Sequence, residues 1–160
     1  MNLTTVKYEK SNEIKELENM VFEFRKKRDG SKAVKKYYFD RKATELEECI
    51  IHYTSCFNGC FAEKICSMGR SVEKDGKFIF VPNNNTTGQA DLSLTILGKS
   101  IKVEVKCKWT RDKYQNKAQK NYQRQIEKAG GIYLLVREFS EFKIWFDNYV
   151  INSNNISKKI

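Results

Sequence analysis

Asp91, Glu104 and Lys106 lie within one stretch, GQADLSLTILGKSIKVEVKCK, residues 88–108. Two carboxylates and an ammonium are a minimal set for holding a cation and a phosphate together, provided the chain brings them to one place. The residue pattern supplies a way. Leu92, Leu94 and Ile96 alternate with Asp91, Ser93 and Thr95, and Ile101, Val103, Val105 and Cys107 alternate with Lys102, Glu104, Lys106 and Lys108. Such period-2 alternation marks strands with one apolar and one polar face. Gly98-Lys99 between them reads as a two-residue hairpin turn. With that turn Leu97 faces Ser100, Ser93 faces Glu104, and Asp91 faces Lys106, so all three candidates share the polar face.

Neighbouring carboxylates repel, which raises the pKa of one of them and creates a place for a divalent cation. Oxygen donors suit Mg²⁺ or Mn²⁺. Asp91 and Glu104 are the expected ligands, and the Val105 carbonyl, lying between Glu104 and Lys106, is the expected third. A cation there would acidify a water and polarise a phosphoryl oxygen. Lys106 would orient the water or stabilise phosphate charge. An ordinary exposed strand face with cross-strand ion pairs produces the same spacing, so spacing alone leaves both readings open.

The flanking elements follow from hydrophobic periodicity. Ile14, Leu17, Val21 and Phe24 recur at helical spacing from Ser11 to Arg28, and Gly30 is a fitting stop. A second helix is expected from about Thr44 to Cys56, with Leu46, Cys49, Ile50 and Tyr53 on one face, ended by Asn58-Gly59. FAEKICS is an expected strand. Within the polar stretch that follows, Lys74-Asp75-Gly76 is a turn, FIFV a short strand and NNNTTG a loop. A helix is expected over Tyr114–Ala129, with Tyr114, Ala118, Tyr122, Ile126 and Ala129 inward and Gly130-Gly131 as its cap. IYLLV reads as a fully buried strand. Phe139, Phe142, Trp145, Phe146 and Tyr149 mark a last helix on the sheet, and the final residues read as a frayed tail. The order predicts a mixed α/β architecture, a small mixed sheet flanked by helices.

A chain of 160 residues fits one domain. Its 30 Lys and Arg against 20 Asp and Glu give a net charge of +10. The excess is concentrated: residues 25–42 carry nine basic and two acidic side chains, and residues 99–128 carry ten and three. Two such patches suit a polyanion, although a solvated lysine-rich surface gives the same count. The five cysteines, Cys49, Cys56, Cys60, Cys66 and Cys107, follow no disulfide framework or zinc spacing and are expected buried and reduced. The lone His52 is expected to be structural. No apolar run approaches a membrane span, and the N-terminus shows no apolar leader core, so a cytoplasmic protein without a membrane partner is expected.

Four strings in order, GQAD, VEVK, AQKNYQRQIEKAGG and GGIY, resemble the PD-(D/E)xK nuclease superfamily, and within it the VRR-NUC group. Members of that group are small nucleases often found in phages and related to Holliday-junction resolvases. The family strings are Gly-x-Pro-Asp, then iEVK, then a helix with a glutamine, then GG-x-Y. Ala90 stands where the family has proline, and Gln119 stands where it has the helix glutamine. The likeness covers about Thr44 to Tyr149.

The resemblance implies a restriction-endonuclease-like core over residues 44–150, an N-terminal helical extension over 1–43 and a polar tail over 151–160. It implies a Mg²⁺- or Mn²⁺-dependent deoxyribonuclease acting on branched or structured DNA. Asp91, Glu104 and Lys106 would be catalytic, Gln119 would assist Lys106 or the phosphate, and a helix carboxylate would tune the metal site. Glu45 is the first choice for the last role and Glu48 its rival. Lys108, Arg111, Lys113, Lys117, Lys120 and Arg124 would meet the phosphate backbone, while Tyr114 and Tyr122 are expected in the core rather than stacked on bases. Junction-cutting relatives often act as dimers, and the helix over residues 11–28 is the expected interface of a homodimer. The same fold could serve a nucleic-acid-binding module that does not cleave, and a basic structural protein is a third reading.

Overall fold

A computed structural model describes residues 7–65, 70–81 and 87–153. Along the chain lie α1 (Asn12–Asp29), a 3-10 turn (Gly30–Lys32), α2 (Ala43–Ser55), β1 (Cys60–Lys64), β2 (Arg70–Lys74) and β3 (Lys77–Val81). They are followed by β4 (Leu92–Ile96), β5 (Lys99–Val105), α3 (Lys117–Lys128), β6 (Ile132–Val136) and α4 (Phe139–Asn152). The expected mixed α/β architecture is present. One sheet has the order β1-β4-β5-β6, with β1/β4 and β4/β5 antiparallel and β5/β6 parallel. β2 and β3 form a separate hairpin around Asp75-Gly76. β2, RSVEK, is too polar to stand out as a strand. Cys66, Pro82, most of NNNTTG and residues 154–160 of the tail lie outside the described residues.

The β4–β5 hairpin turns one residue earlier than expected. Ile96 pairs with Lys99, so Leu97-Gly98 makes the turn, with φ of +50° and +76°. Two positive φ values define the type I′ turn, whose twist matches that of the strands it joins. Leucine in this conformation carries a cost of about 1–2 kcal/mol. The Leu97 N–H is held by the Gly59 carbonyl at 3.0 Å, continuing the β1–β4 ladder, and this contact favours the earlier turn. Leu92 then pairs with Val103 and Ser93 with Lys102. The same register continued by one residue sets Asp91 opposite Glu104, not opposite Lys106.

The apolar faces of β4 and β5 lie in one buried cluster with residues of α1, α2 and α4. Leu46, Cys49, Ile50 and Tyr53 of α2 join Leu92, Leu94, Ile101, Val103 and the buried Phe139, Phe142 and Phe146 of α4 in one cluster. α1 belongs to the same cluster through Ile14, Leu17 and Val21. Ser11 caps it by accepting from the Ile14 N–H at 3.3 Å. Its apolar stripe is therefore spent inside this chain's own core and is not available as a dimer interface. The segment after α1 is tied down as well. Buried Asp40 accepts from the Tyr8 hydroxyl at 2.9 Å and from the Phe139 N–H at 3.0 Å, and its carbonyl accepts from the Cys107 thiol at 3.1 Å. α1 and the segment through Asp40 are thus part of the core.

Cys49, Cys56, Cys60 and Cys107 are buried, as expected. His52 meets the Tyr38 hydroxyl through Nδ1 at 2.6 Å, a structural contact. β6 departs from its expected burial. It is an edge strand, and of its five residues only Tyr133 and Val136 are buried.

The opposite face of the sheet is covered by α3, which starts later than its periodicity suggests. Asn116 caps it with a reciprocal box: its side chain accepts from the Gln119 N–H at 3.0 Å, and its own N–H donates to Gln119 Oε1 at 2.9 Å. Tyr114 therefore falls outside the helix and is 81% exposed, whereas Tyr122 packs edge-on against Tyr133, with Ala90 in the same cluster.

Candidate active site

The polar face of β5 becomes a buried site because α3 lies over it. Glu104 and Lys106 are 1% and 4% exposed. Both were expected to face outward; α3 reaches Glu104 through Gln119, and the loop before α3 reaches Lys106 through Asp112. Glu104 Oε1 accepts from Gln119 Nε2 and lies 3.2 Å from Lys106 Nζ. Glu104 Oε2 accepts from the Tyr133 hydroxyl at 3.3 Å. Asp91 enters from the start of β4, where its Oδ2 accepts from the Val105 N–H at 2.8 Å. That bond places the carboxylate beside the Val105 peptide. Lys106 Nζ donates to Asp112 Oδ2 at 2.7 Å.

Gln119 reaches Glu104 because the capping box holds its side chain. A free glutamine has several rotamers; here Oε1 is committed to the Asn116 N–H, so the amide nitrogen is turned to the sheet. It was expected to assist Lys106 or a phosphate, and its partner is Glu104. Gly88 brings the first turn of α3 close. Its φ is +80°, and a Cβ there would stand 2.6 Å from both the Ala118 carbonyl oxygen and the Gln119 nitrogen. Only glycine combines this conformation with this approach.

The electrostatics reflect a crowded, dry pair. Burial pushes the Glu104 carboxyl up to about 7, and the Asp91 charge adds to the rise while Lys106 and the Tyr133 hydroxyl oppose it. Burial also raises Asp91, against the Val105 N–H, Lys106 and Lys64. For Lys106 burial acts downward, but the contacts to Asp112 and Glu104 outweigh it, and the ammonium ends above the ordinary lysine value. Burial and the charge of Glu104 raise the Tyr133 hydroxyl too.

Neither Glu45 nor Glu48 is brought to this cluster by a contact. Glu45 is taken by Arg41, through the guanidinium at 2.8 Å and the backbone N–H at 3.0 Å, and Glu48 pairs with Lys36. The third glutamate of α2, Glu47, is buried and pairs with Lys64, whose charge acts on Asp91. Periodicity pointed away from it, because a carboxylate on the buried side of a helix is rare without a partner.

Of the basic residues expected to meet phosphate, Arg111, Lys113, Lys117, Lys120 and Arg124 are exposed. Lys117, Lys120 and Arg124 lie on α3, whose Tyr122 faces inward. Lys108 is engaged by Glu138 and sits 5.2 Å from the Trp109 ring centroid.

Among the described residues no group of three or more His, Cys, Asp or Glu side chains is set to hold a metal. The donor set is the opposed pair Asp91 and Glu104. Its chemistry fits a hard divalent cation: both are oxygen donors, and burial disfavours the anionic form of each despite the nearby ammonium of Lys106. No helix among the described residues is long and apolar enough to cross a membrane. Comparison of the chain with protein-family models, with curated proteins and with solved structures returns no match.

Proposed function

We propose that the chain is a metal-dependent nuclease that hydrolyses DNA phosphodiesters, built on the PD-(D/E)xK plan that its motifs resemble. One observation carries the reading: Asp91, Glu104 and Lys106 meet in a single cluster, with the two carboxylates opposed across a hairpin and both disfavoured as anions. A structural ion pair needs no second carboxylate beside the first. The residues that would hold the cation are Asp91 and Glu104, with the Val105 carbonyl as a third donor. Mg²⁺ or Mn²⁺ bound there would supply Lewis acidity toward a phosphate ester and acidify a water.

The protein's own part is positioning and charge. The raised pKa of Lys106 keeps it an ammonium at neutral pH, so its role is a charged donor to a water or a phosphate oxygen, not a base. Gln119 and Tyr133 grip the two oxygens of Glu104 and fix its plane. Lys117, Lys120, Arg124, Arg111 and Lys113 would neutralise backbone phosphates without reading bases. Branched or structured DNA, such as junctions and flaps, is the proposed substrate.

The test is cleavage of labelled linear and branched DNA with Mn²⁺ by wild type, Asp91→Asn, Glu104→Gln and Lys106→Met, with folding checked by circular dichroism. Each variant should lose about 10²-fold or more in rate while still binding DNA. A Glu104→Gln protein that cuts at the wild-type rate rejects the site. Wild type that binds DNA with no cleavage in Mg²⁺ or Mn²⁺ returns the alternative, a binding module on the same fold.

A further inference from the structure

Asp112 is not part of any motif discussed above, yet it makes the shortest contact to Lys106, 2.7 Å. The two carboxylates on Lys106 differ in kind. Glu104 comes from the interior of β5 and is held by Gln119 and Tyr133 as well. Asp112 comes from the connection between β5 and α3, and its side chain is 71% exposed. It touches the buried ammonium from the solvent side.

We propose that the Asp112 carboxylate occupies the seat of a substrate phosphate oxygen on Lys106, and that nucleic acid binds there by displacing it. This rests on the nuclease reading for the identity of the substrate. Three observations support it. Carboxylate and phosphate oxygens take the same distance to an ammonium, so one replaces the other without moving Lys106. A second anion beside Glu104 stabilises the buried ammonium, and the exposed, loop-borne partner is the one free to leave. Arg111 and Lys113, both exposed, flank Asp112 in sequence. A polyanion arriving at this loop attracts its two neighbours and repels Asp112, which drives the exchange.

The seat is tested without any cleavage. Thermal stability of wild type, Asp112→Asn and the double variant Asp112→Asn/Lys106→Met is measured against inorganic phosphate, without divalent metal. Asp112→Asn should be less stable than wild type in phosphate-free buffer and should recover with phosphate at a lower concentration than wild type needs to respond. The double variant should not respond. In parallel, binding of labelled DNA should tighten by roughly threefold to tenfold in Asp112→Asn at low salt. Glu127→Gln removes an exposed negative charge from α3 and serves as the control for bulk charge.

The proposal is overturned if Asp112→Asn shows no greater phosphate response than wild type, or if Glu127→Gln tightens DNA binding by the same factor. It is also overturned if Asp112→Asn weakens DNA binding, because Asp112 would then be a fixed support for Lys106. Phosphate seated on Lys106 in a protein that never cuts DNA would reject the nuclease reading and leave the anion seat standing.

Discussion

Glu104→Gln should make the metal-free protein more stable at pH 8 and leave it unchanged at pH 4. The ordinary value of this carboxyl is 4.5 and burial lifts it to about 7 in the folded chain. Between those values the folded protein keeps a proton that the unfolded chain has released, so stability falls as pH rises through this window. The separation is worth about 3 kcal/mol at about 1.4 kcal/mol per pH unit. Glutamine resembles the protonated acid. Its oxygen can still accept from Gln119 and Lys106, and its amide can donate to the Tyr133 hydroxyl oxygen. The assay is urea unfolding with a chelator present, from pH 4 to pH 8, followed by far-ultraviolet circular dichroism. The variant-minus-wild-type difference should be near zero at pH 4, grow through pH 5 to 7 and level at about 3 kcal/mol. Titrating groups that do not interact with Glu104 cancel in that difference, while the charge of Asp91, which raises Glu104, contributes to it. A difference that is constant with pH would refute the reasoning, because it would report packing rather than the charge of Glu104.

Stabilisation by Mn²⁺ should increase as pH rises through about 7, since proton and cation compete for Glu104; a melting temperature insensitive to Mn²⁺ at pH 8 counts against the ligand pair. Gly88→Ala should cost about 1–3 kcal/mol, because its Cβ meets the α3 backbone at a positive φ, and should lower cleavage more than DNA binding by moving Gln119; denaturant titration and kinetics separate the two effects. Replacing Lys117 and Lys120 with alanine should flatten the log–log salt dependence of DNA binding by up to about 2, similarly for unrelated sequences; an unchanged slope removes α3 from the interface. Leu17→Ala should destabilise by about 2–5 kcal/mol, since Leu17 is fully buried; a near-neutral result in equilibrium unfolding would make α1 an appendage after all.

The sequence by itself determined most of the frame and the central residues. Alternation in residues 91–108 marks two strands with a shared polar face, and helical periodicity marks the cores of α1, α2 and α4. These signals are local, since each depends only on which side of one element a residue faces. Asp91, Glu104, Lys106 and Gln119 were legible from spacing and from the family resemblance.

What the local pattern does not encode is how far one strand slides past another. Moving the turn from Gly98-Lys99 to Leu97-Gly98 slides the strands by two residues and leaves every face unchanged, so alternation is blind to it. The bond from Leu97 to Gly59, a residue just before β1, favours the register, and with it the pairing of Asp91 with Glu104. Burial of the site was equally invisible, because a polar strand face reads as exposed until α3 is laid across it. Asp112 and Glu47 came into view only in three dimensions: one sits in a loop with no periodicity, and the other is a charged residue on a buried helix face. Tertiary packing decided these points because each depends on contacts between segments far apart in the chain, where the energies of register, desolvation and ion pairing are set.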